Sequence, residues 1–413
     1  MEELFDRART ASRDLALWDN DRKNRVLLSL SAALSSRKEE ILDKNAEDLA
    51  LMDRENPMYD RLRLTGDRLD GIASSLVDVA SLPDPVGKVL EQRTLPNGIR
   101  LRKESAPFGV IGVVYEARPN VTVDVFALCL KSGNACLLKG GHDAEYSNTC
   151  LVGVIKDVLV SCGENPDVVT LLPSSRESTR QLLEAVGKVD LVIPRGGRRL
   201  IDFVRNTAKV PVIETGAGVV NMYFASDGNL EIGKACLDNA KTRRVSVCNA
   251  LDCLIVDSSR IGDLPALCQT LGAKGVEIQA DKRAYIALEG SYPSPLLHHS
   301  DENSFGTEFL SMRLSIRTVD GIDEAIDHIA RYGSGHSESI ITESDSLARR
   351  FFSEVDAACI YRNLPTSFTD GGEFGLGAEI GISTQKLGAR GPMGLEELNT
   401  YKWILEGEGQ TRK

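Results

Sequence analysis

The chain has 413 residues, of which 42% are hydrophobic, and this is enough to fill the cores of two or three domains. Its net charge is −11 at pH 7 and its isoelectric point is about 5.2. Such an acidic balance argues against nucleic acid and against an anionic membrane surface as partners. It does not argue against a small anionic substrate, because a few arginine and lysine side chains can make a local positive pocket.

The cysteine content and the N-terminal sequence predict a cellular compartment. The segment from Met1 to Asn20 mixes both charges without an apolar stretch, so no signal peptide is expected, and the longest apolar runs are too short to cross a bilayer. Nine cysteines occur without a paired spacing pattern or a CxxC motif, and the five histidines show no spacing typical of a metal site. We therefore expect a cytoplasmic protein without a metal ion.

The N-terminal part of the chain, up to about Ala80, has the pattern of amphipathic helices, for example over residues 25–44. A β-hairpin is predicted next, at 93–107, with Asn97-Gly98 at its tip, a pair that favours a type I′ turn. The hairpin lies outside the alternation of strands and helices that follows it. It is either an arm that reaches a partner subunit or a hairpin on the surface of its own subunit, and the stretch itself does not distinguish the two.

From residue 108 onward, short apolar strands alternate with helices. In the first set, strands are predicted at 108–115, 135–140, 168–172, 190–194 and 210–214, and helices at 122–133 and 144–163. In the second set, strands are predicted at 253–257, 314–319 and 339–343, and helices at 229–242, 264–275 and 323–333. This alternation is typical of parallel sheets covered by helices on both faces. The predicted fold class is therefore α/β, with two parallel-sheet domains.

Cys248 is the main candidate for a catalytic residue. It follows Arg243 and Arg244, whose charges favour a reactive thiolate, and a short β-branched run that predicts a strand or loop ending at the thiol. Glu214 lies upstream of it, at the end of a predicted strand. A thiol nucleophile and a carboxylate suit acyl transfer through a thioester, although a structural cysteine and an ordinary strand-end carboxylate are the alternatives. Four other cysteines lie within apolar patterns and are expected to be core thiols: Cys129, Cys136, Cys236 and Cys268.

Two segments that end predicted strands are candidates for cofactor binding. Lys139 ends a strand at the carboxyl edge of the predicted sheet, where ligands bind in open α/β sheets. Arg195, Gly196 and Gly197 lie between a strand and a helix, where backbone N–H groups can bind a diphosphate. Both segments can equally be simple turns. No GxGxxG sequence opens the first strand–helix unit, which argues against the standard dinucleotide motif.

Several long motifs carry a resemblance that covers essentially the whole chain. They are YEARPNVT (115–122), RYGSGHSESI (331–340), FTDGGEFGLGAEIGISTQKLGARGPMGLEEL (368–398) and TYKW (400–403). With these motifs the chain resembles the γ-glutamyl phosphate reductases, or glutamate-5-semialdehyde dehydrogenases, of the aldehyde dehydrogenase superfamily. The resemblance implies an aldehyde dehydrogenase-like fold. It also implies NADPH-dependent reduction of L-glutamyl 5-phosphate to L-glutamate 5-semialdehyde and phosphate, the second step of proline biosynthesis, without a metal.

The resemblance also assigns roles to individual residues. Cys248 would carry the thioester, and its backbone N–H together with the side chain of Asn120 or Arg118 would bind the oxyanion. Glu214 activates water in hydrolytic relatives, and in a phosphate-using enzyme it would contact the cofactor or tune the thiol instead. The cofactor would be held by Lys139 at the adenosine ribose and 2′-phosphate, by Arg195, Gly196 and Gly197 at the diphosphate, and by Glu308 at the nicotinamide ribose. The candidates for substrate binding are Arg118, Arg244 and Asn363.

The sequence departs from the family pattern at three places. Val220-Asn221 stands where the family usually has Cys-His, and Arg243-Arg244-Val245 stands where it usually has QRP. In the segment that usually contains NASTRFTDGG, Ser367 replaces the arginine. That arginine is a candidate anchor for the substrate, and Arg362 is a candidate replacement.

The resemblance further predicts how the domains divide the chain. The cofactor-binding domain would comprise residues 1–91 and 107–221, with a return of the chain at 358–382. The catalytic domain would comprise 222–357, and residues 92–106 and 383–413 would form a small β oligomerisation element. We expect a homo-oligomer and functional coupling to glutamate 5-kinase. The rival predictions are a hydrolytic NAD-dependent aldehyde dehydrogenase of a small acidic aldehyde and a catalytically inactive homologue.

Overall fold

The computed structural model describes residues 1–56 and 58–412. Pro57 and Lys413, which fall within segments discussed above, lie outside the described residues. The chain forms two compact units. The first unit comprises Met1–Thr215, Gly375–Gly381 and Met393–Lys413, and the second comprises Gly216–Phe374 and Ile382–Pro392. The division therefore differs from the expected domain limits at several points, since residues 358–374 belong to the second unit and the C-terminal strand to the first.

The α-helices of the described residues are, in chain order, α1 (Glu2–Leu15), α2 (Asn20–Ser36), α3 (Lys38–Ala50), α4 (Tyr59–Leu62), α5 (Gly66–Ser81), α6 (Pro119–Lys131), α7 (Glu145–Ser161), α8 (Arg176–Leu183), α9 (Arg198–Thr207), α10 (Leu230–Thr242), α11 (Leu264–Ala273), α12 (Lys282–Leu288), α13 (Ile322–Tyr332) and α14 (Asp345–Glu354). Short 3₁₀ helices occur at His142–Ala144, Pro166–Val168, Ser258–Asp263, Ser294–Leu296, Glu302–Ser304, Thr366–Phe368 and Glu396–Leu398.

The strands are β1 (Val89–Thr94), β2 (Arg100–Pro107), β3 (Val110–Tyr115), β4 (Ala135–Lys139), β5 (Val169–Leu171), β6 (Leu191–Arg195), β7 (Asn221–Phe224), β8 (Cys253–Asp257), β9 (Glu277–Ala280), β10 (Leu297–His299), β11 (Arg313–Val319), β12 (Ser337–Ile341), β13 (Cys359–Arg362), β14 (Ile382–Ser383), β15 (Gly391–Pro392) and β16 (Asn399–Glu406). The last of these follows a long segment in which the only described strands, β14 and β15, form a two-residue antiparallel pair.

The first unit contains a four-stranded parallel sheet with the order β5-β4-β3-β6. Val110 and Val114 of β3 pack on one face with side chains of α1, α8 and α9, while α6 and α7 lie against β4 and β5. Burial on both faces explains why these strands read as continuous apolar runs. The strand predicted at 210–214 is reduced to a single bridge between Val212 and Val192, because Pro211 has no N–H to extend the pairing.

The N-terminal helices form an outer layer of the first unit, in which α2 and α5 pack on each other and on α6 and α7. The helix expected over residues 25–44 is interrupted, because Arg37 leaves the helical conformation between α2 and α3.

The second unit contains a seven-stranded parallel sheet with the order β10-β9-β11-β8-β7-β12-β13. Alternate residues of the central strands face opposite sides, so Met222 and Leu254 pack in the core covered by α10 and α11. Tyr223 and Ile255 point to the other side, where they pack with residues of α13 and α14. The sheet is therefore covered by helices on both faces, as predicted from the sequence.

The predicted hairpin is present as β1 and β2, and β16 pairs with β2 to complete a three-stranded antiparallel sheet. Its turn is not type I′. Gly98 N–H donates to Leu95 O, Asn97 keeps a negative φ and Gly98 has φ +86°. Pro96 therefore sits at the first central position of a type I turn, and Gly98 takes the left-handed position that follows it.

All nine cysteines lie among the described residues, and none forms a disulfide. Across 1–56 and 58–412, no helix combines the length and the apolar character needed to cross a bilayer.

Candidate active site

Cys248 lies in the turn between α10 and β8 of the second unit, and its side chain is half-buried. Residues 245–247 do not form the strand that their β-branched side chains suggested, because the α10 helix ends at Thr242 and the chain turns at once. Since β8 begins at Cys253, the thiol stands before the amino ends of the parallel strands. The sheet edge most commonly used for ligands is the carboxyl edge, so this position was not foreseen.

Gly218 packs directly against the backbone of Cys248. A Cβ atom at residue 218 would lie 1.7 Å from the carbonyl oxygen of Cys248 and 3.1 Å from its Cα. Only a residue without a side chain allows this approach. Gly218, four residues after Glu214, therefore fixes the backbone that carries the thiol.

Glu308 holds the same segment from another side. Its Oε1 atom accepts a hydrogen bond from Gly218 N–H at 3.1 Å, and its side chain is half-buried. The structure thus brings Glu308, Gly218 and Cys248 together in one cluster of the second unit. Contact of Glu308 with a nicotinamide ribose stays a prediction.

Asn249 anchors the Cys248 turn to the 3₁₀ helix at 366–368. Its Nδ2 donates to Ser367 O at 3.3 Å and to Thr369 O at 3.0 Å, while Thr366 Oγ1 donates to Asn249 O at 2.9 Å. Ser367 Oγ donates in turn to Asn239 Oδ1 of α10 at 2.6 Å. Ser367, which stands where the family has an arginine, therefore lies beside Asn249, the residue that follows Cys248.

Asn363 and Arg362 lie at the other edge of the sheet. Asn363 has φ 56°, and its side-chain amide pairs with both backbone groups of Thr342, at 3.0 Å each. Arg362 Nη1 donates to Asp345 at 2.6 Å. Arg362 is the last residue of β13 and Asn363 follows it, so roughly 10 Å of strand or more lies between them and the sheet edge at which Cys248 stands. This placement argues against the substrate-binding role predicted for Asn363 and against Arg362 as a replacement for the family arginine.

Arg244 is exposed on the surface of the Cys248 turn, one position after the equally exposed Arg243. Because the guanidinium of Arg244 is already exposed and is close in sequence to the thiol, it can contact an anionic substrate directly. Its role in binding the substrate stays a prediction.

At Val220-Asn221, where the sequence departs from the family pattern, Asn221 binds the buried carboxyl group of Glu338. Asn221 donates from its backbone N–H and from its Nδ2 to the two carboxyl oxygens of Glu338, at 3.1 and 3.2 Å. Both residues are fully buried, and burial raises the pKa of Glu338 well above its usual range against the opposing hydrogen bonds from Asn221. This pair is structural and lies at the amino ends of β7 and β12.

In the first unit, Lys139 ends β4 and is almost fully buried. Its Nζ atom donates to Gly140 O at 2.8 Å and to Ser174 O at 3.0 Å, which ties the loop after β4 to the loop after β5. Burial lowers the pKa of Lys139, while the carboxylate of Glu145 raises it. The 2′-phosphate contact expected of this lysine stays a prediction.

The Arg195–Gly197 segment joins the end of β6 to the start of α9. Gly197 N–H donates to Oε2 of Glu116 at 3.0 Å, and a Cβ at Gly196 would lie 2.6 Å from that same oxygen. The carboxylate of Glu116 therefore occupies the backbone N–H of Gly197, one of the groups that were expected to bind a diphosphate. This shows that the helix start can bind an anionic oxygen. Glu116 lies in the YEARPNVT motif but was not predicted from the sequence as a site residue.

Asn120 lies in the first turn of α6, directly after Arg118 and Pro119. Its Nδ2 donates to Oδ2 of Asp124 at 3.0 Å. Burial raises the pKa of Asp124 to about 6, and the hydrogen bond from Asn120 and the charge of Arg195 oppose this rise. The side chains of Asn120, Asp124 and Arg195 therefore form one group in the first unit. An oxyanion role for Asn120 or Arg118 stays a prediction.

Glu214 lies at the end of the first unit and forms an ion pair with Arg205 of α9, with 3.5 Å between Oε2 and Nη1. The Glu214 side chain is 17% exposed. The carboxylate therefore already has a cationic partner in the first unit. Catalysis by Glu214 was predicted and stays untested.

Comparison with known proteins gives a consistent result at the levels of sequence and fold. No protein-family model matches the chain. The γ-glutamyl phosphate reductase of Bacteroides fragilis is 56% identical over 413 residues, and the match covers 100% of both chains. The γ-glutamyl phosphate reductase of Chlorobium luteolum is 56% identical over 100% of this chain and 98% of its own.

Solved structures agree. The crystal structure of γ-glutamyl phosphate reductase from Thermotoga maritima superposes with a TM-score of 0.95 at 38% identity, over 100% of this chain and 99% of that chain. An acetylating aldehyde dehydrogenase from Geobacillus thermoglucosidasius shares the fold at 15% identity, with a TM-score of 0.70 over 100% of this chain and 97% of that chain. The fold is thus that of the aldehyde dehydrogenases, and the chain belongs to the γ-glutamyl phosphate reductase family.

Proposed function

We propose that this protein reduces L-glutamyl 5-phosphate to L-glutamate 5-semialdehyde with NADPH and releases inorganic phosphate. Full-length similarity to γ-glutamyl phosphate reductases supports the reaction. The observation that carries the mechanism is the position of Cys248 on a turn that is fixed on one side by Gly218 and on the other by the contacts of Asn249. A nucleophile held in one position suits covalent acyl transfer.

In the first step, the Cys248 thiolate attacks the acyl carbon of the substrate. A C–S bond forms, the bond from the acyl carbon to the phosphate oxygen breaks, and phosphate leaves with its electron pair. We assign the backbone N–H of Cys248 as a donor to the oxyanion of the tetrahedral intermediate. After reduction, the thiohemiacetal collapses, so that the C–S bond breaks, the aldehyde is released and the thiol recovers its proton.

The side chains of the first unit fit a phosphate-bearing cofactor. Gly197 N–H already binds a carboxylate oxygen of Glu116, and Lys139 supplies a buried cation between two loops. Bound NADPH supplies the hydride that reduces the thioester. We assign Lys139 to the adenosine ribose and its 2′-phosphate and Arg195–Gly197 to the diphosphate. This requires the Glu116 carboxylate to leave Gly197 when the cofactor binds. Glu308 is assigned to the nicotinamide ribose, and no metal is involved.

The two units divide this work. We assign the adenosine and diphosphate contacts of the cofactor to the first unit, and the thioester chemistry and the Glu308 contact to the second. We assign self-association to the three-stranded sheet of β1, β2 and β16, whose surface exposes Leu90, Trp403 and Leu405. Sedimentation of a Trp403→Lys variant tests this, because a lower association state is expected. The acyl phosphate substrate must be supplied by a kinase that phosphorylates the side-chain carboxylate of glutamate, so we expect functional coupling to glutamate 5-kinase.

The reverse reaction tests the proposed function. Oxidation of the semialdehyde by NADP should require inorganic phosphate or arsenate, because phosphate is the leaving group of the forward reaction and becomes the nucleophile in reverse. NADPH formation is followed by absorbance with and without phosphate. A comparable rate without phosphate would indicate hydrolysis of the thioester and would support the aldehyde dehydrogenase alternative.

A further inference from the structure

The amino edge of the second unit's sheet contains a buried carboxylate that the mechanism above does not use. Asp252 lies directly before β8, four positions after Cys248, and is only 3% exposed. Its Oδ1 accepts from Phe309 N–H at 3.0 Å, and its Oδ2 accepts from Val220 N–H at 3.4 Å. One carboxylate therefore joins two segments that are far apart in the sequence.

Both of these segments hold the Cys248 turn. Phe309 follows Glu308, which accepts the N–H of Gly218, and Gly218 in turn packs on the carbonyl of Cys248. Val220 lies two residues after Gly218, and the backbone N–H of Asp252 donates to Val220 O at 3.0 Å. Asp252 therefore contacts the Phe309 and Val220 segments, and both segments are connected to Gly218, which packs against Cys248.

We propose that Asp252 is a positioning residue, whose ionised carboxylate holds the segments of Gly218 and Glu308 against the Cys248 turn and so keeps the thiol in its reactive position. This inference rests on the proposed function, in which Cys248 is the nucleophile. Asp252 does not contact the reacting atoms, so its effect is exerted through Gly218.

Four ionisable groups surround Asp252. Lys241 of α10 is fully buried, donates to Leu251 O at 2.8 Å and supplies the positive charge. Glu308 supplies a negative charge, and the buried Glu338 and Cys253 lie close enough to feel the charge of Asp252. Burial is the largest effect and raises the pKa of Asp252 above the ordinary range of an aspartate, while the bond from Phe309 N–H and the charge of Lys241 lower it.

The charge state of Asp252 decides how many of its hydrogen bonds survive. An ionised carboxylate accepts from both Phe309 and Val220, whereas a protonated one has a donor in place of one acceptor. As the pH falls through the raised pKa of Asp252, one of these two hydrogen bonds is lost and the turnover number should fall. If Asp252 were only structural, its substitution would change the stability of the protein but would leave the shape of the pH profile of kcat unchanged.

The test compares Asp252→Asn with Asp257→Asn, the same substitution in a buried aspartate at the opposite end of β8, which binds Tyr223 and Ser259 instead. Asp252→Asn should displace the thiol and lower kcat by about tenfold or more, since a displacement as large as about 1 Å costs on the order of a hundredfold. The KM for NADPH should stay within about threefold. The ratio of wild-type to variant kcat should shrink as the pH is lowered, because only the wild type titrates. Asp257→Asn should leave the pH profile unchanged.

A second variant keeps the proposal testable if Asp252→Asn fails to fold. Lys241→Gln retains a donor for Leu251 O but removes the cation that lowers the pKa of Asp252, so the acid limb of kcat should move to higher pH. The proposal is overturned if Asp252→Asn folds and keeps wild-type kcat at every pH, if Asp257→Asn changes the profile equally, or if Lys241→Gln leaves the acid limb in place. Activity in a Cys248→Ala control would instead overturn the proposed function itself.

Discussion

The contact between Gly218 and the carbonyl of Cys248 makes one substitution unusually informative. In a Gly218→Ala variant the new methyl carbon would start 1.7 Å from the Cys248 oxygen, whereas contacts of real Cβ atoms essentially never fall below 3.0 Å. The two backbones must therefore separate by roughly 1 Å, a distance large enough to disturb the alignment of reacting groups. The carbonyl belongs to the residue that carries the nucleophile, so the displacement moves the thiol itself.

The expected loss follows from this displacement. A misplacement of about 1 Å in a catalytic group costs on the order of a hundredfold in rate, which corresponds to about 2.7 kcal/mol of transition-state stabilisation. We therefore expect kcat of Gly218→Ala to fall by about a hundredfold or more. Binding of NADP should change much less, because most of its assigned contacts lie in the first unit and only the ribose contact assigned to Glu308 lies beside Gly218.

The assay is the phosphate-dependent oxidation of glutamate 5-semialdehyde, with NADP affinity and the melting temperature measured on the same samples. Gly262→Ala is the matched control, because a Cβ at that glycine of the second unit meets nothing within 4 Å and its φ is not positive. A Gly218→Ala enzyme that melts normally and keeps kcat within threefold of wild type would refute the reasoning.

Three further predictions follow from the site and from one buried histidine. Cys248→Ala should abolish turnover and leave NADPH affinity near wild type, while Cys268→Ala, at a core thiol, should remain active when folded; a Cys248→Ala enzyme with a tenth of the wild-type rate would contradict the mechanism. Lys139→Ala should weaken NADPH about tenfold more than NADH in fluorescence titrations, because an ammonium beside the 2′-phosphate contributes about 1.5–3 kcal/mol, and equal losses would argue against that contact. Burial lowers the pKa of His336 from 6.5 to about 4, so the unfolded chain takes up its proton first, and the contribution of this residue to stability is lost as the pH falls from about 6.5 towards 4. Between pH 7 and pH 5 the loss is about 2 kcal/mol, so urea titrations of His336→Gln should show a pH dependence weaker by that amount, and an unchanged dependence would exclude the histidine as its source.

The parts of the fold that could be predicted are those whose sequence pattern reflects burial on both faces. β3, β4 and β8 are continuous apolar runs, and each was predicted within a few residues of its observed ends. β7 lies inside the second sheet, between β8 and β12, and was missed, because its four residues begin with a polar asparagine whose buried partner is Glu338. That partner is 117 residues away, and no local pattern reveals it.

The candidate site shows the same limit. Cys248 was found because its motif resembles a known family, but its position before the amino ends of the strands depends on the sharp turn after α10. Asn363 and Ser367 are close together in one motif, yet the first pairs with Thr342 and the second lies beside Asn249. The sequence spacing could not distinguish them, because the chain crosses from one edge of the sheet to the other between the two residues.

The pairing of β16 with β2 has a consequence for protein synthesis. The two strands form eight residue pairs, from Asn399 with Pro107 to Glu406 with Arg100. A ribosome adds roughly 5–20 residues per second, so β2 leaves it about 15–60 s before its partner has been made. During that interval β2 exposes an unpaired edge that other chains could join, and its charged side chains, among them Arg102, Lys103 and Glu104, are of the kind that discourages such pairing.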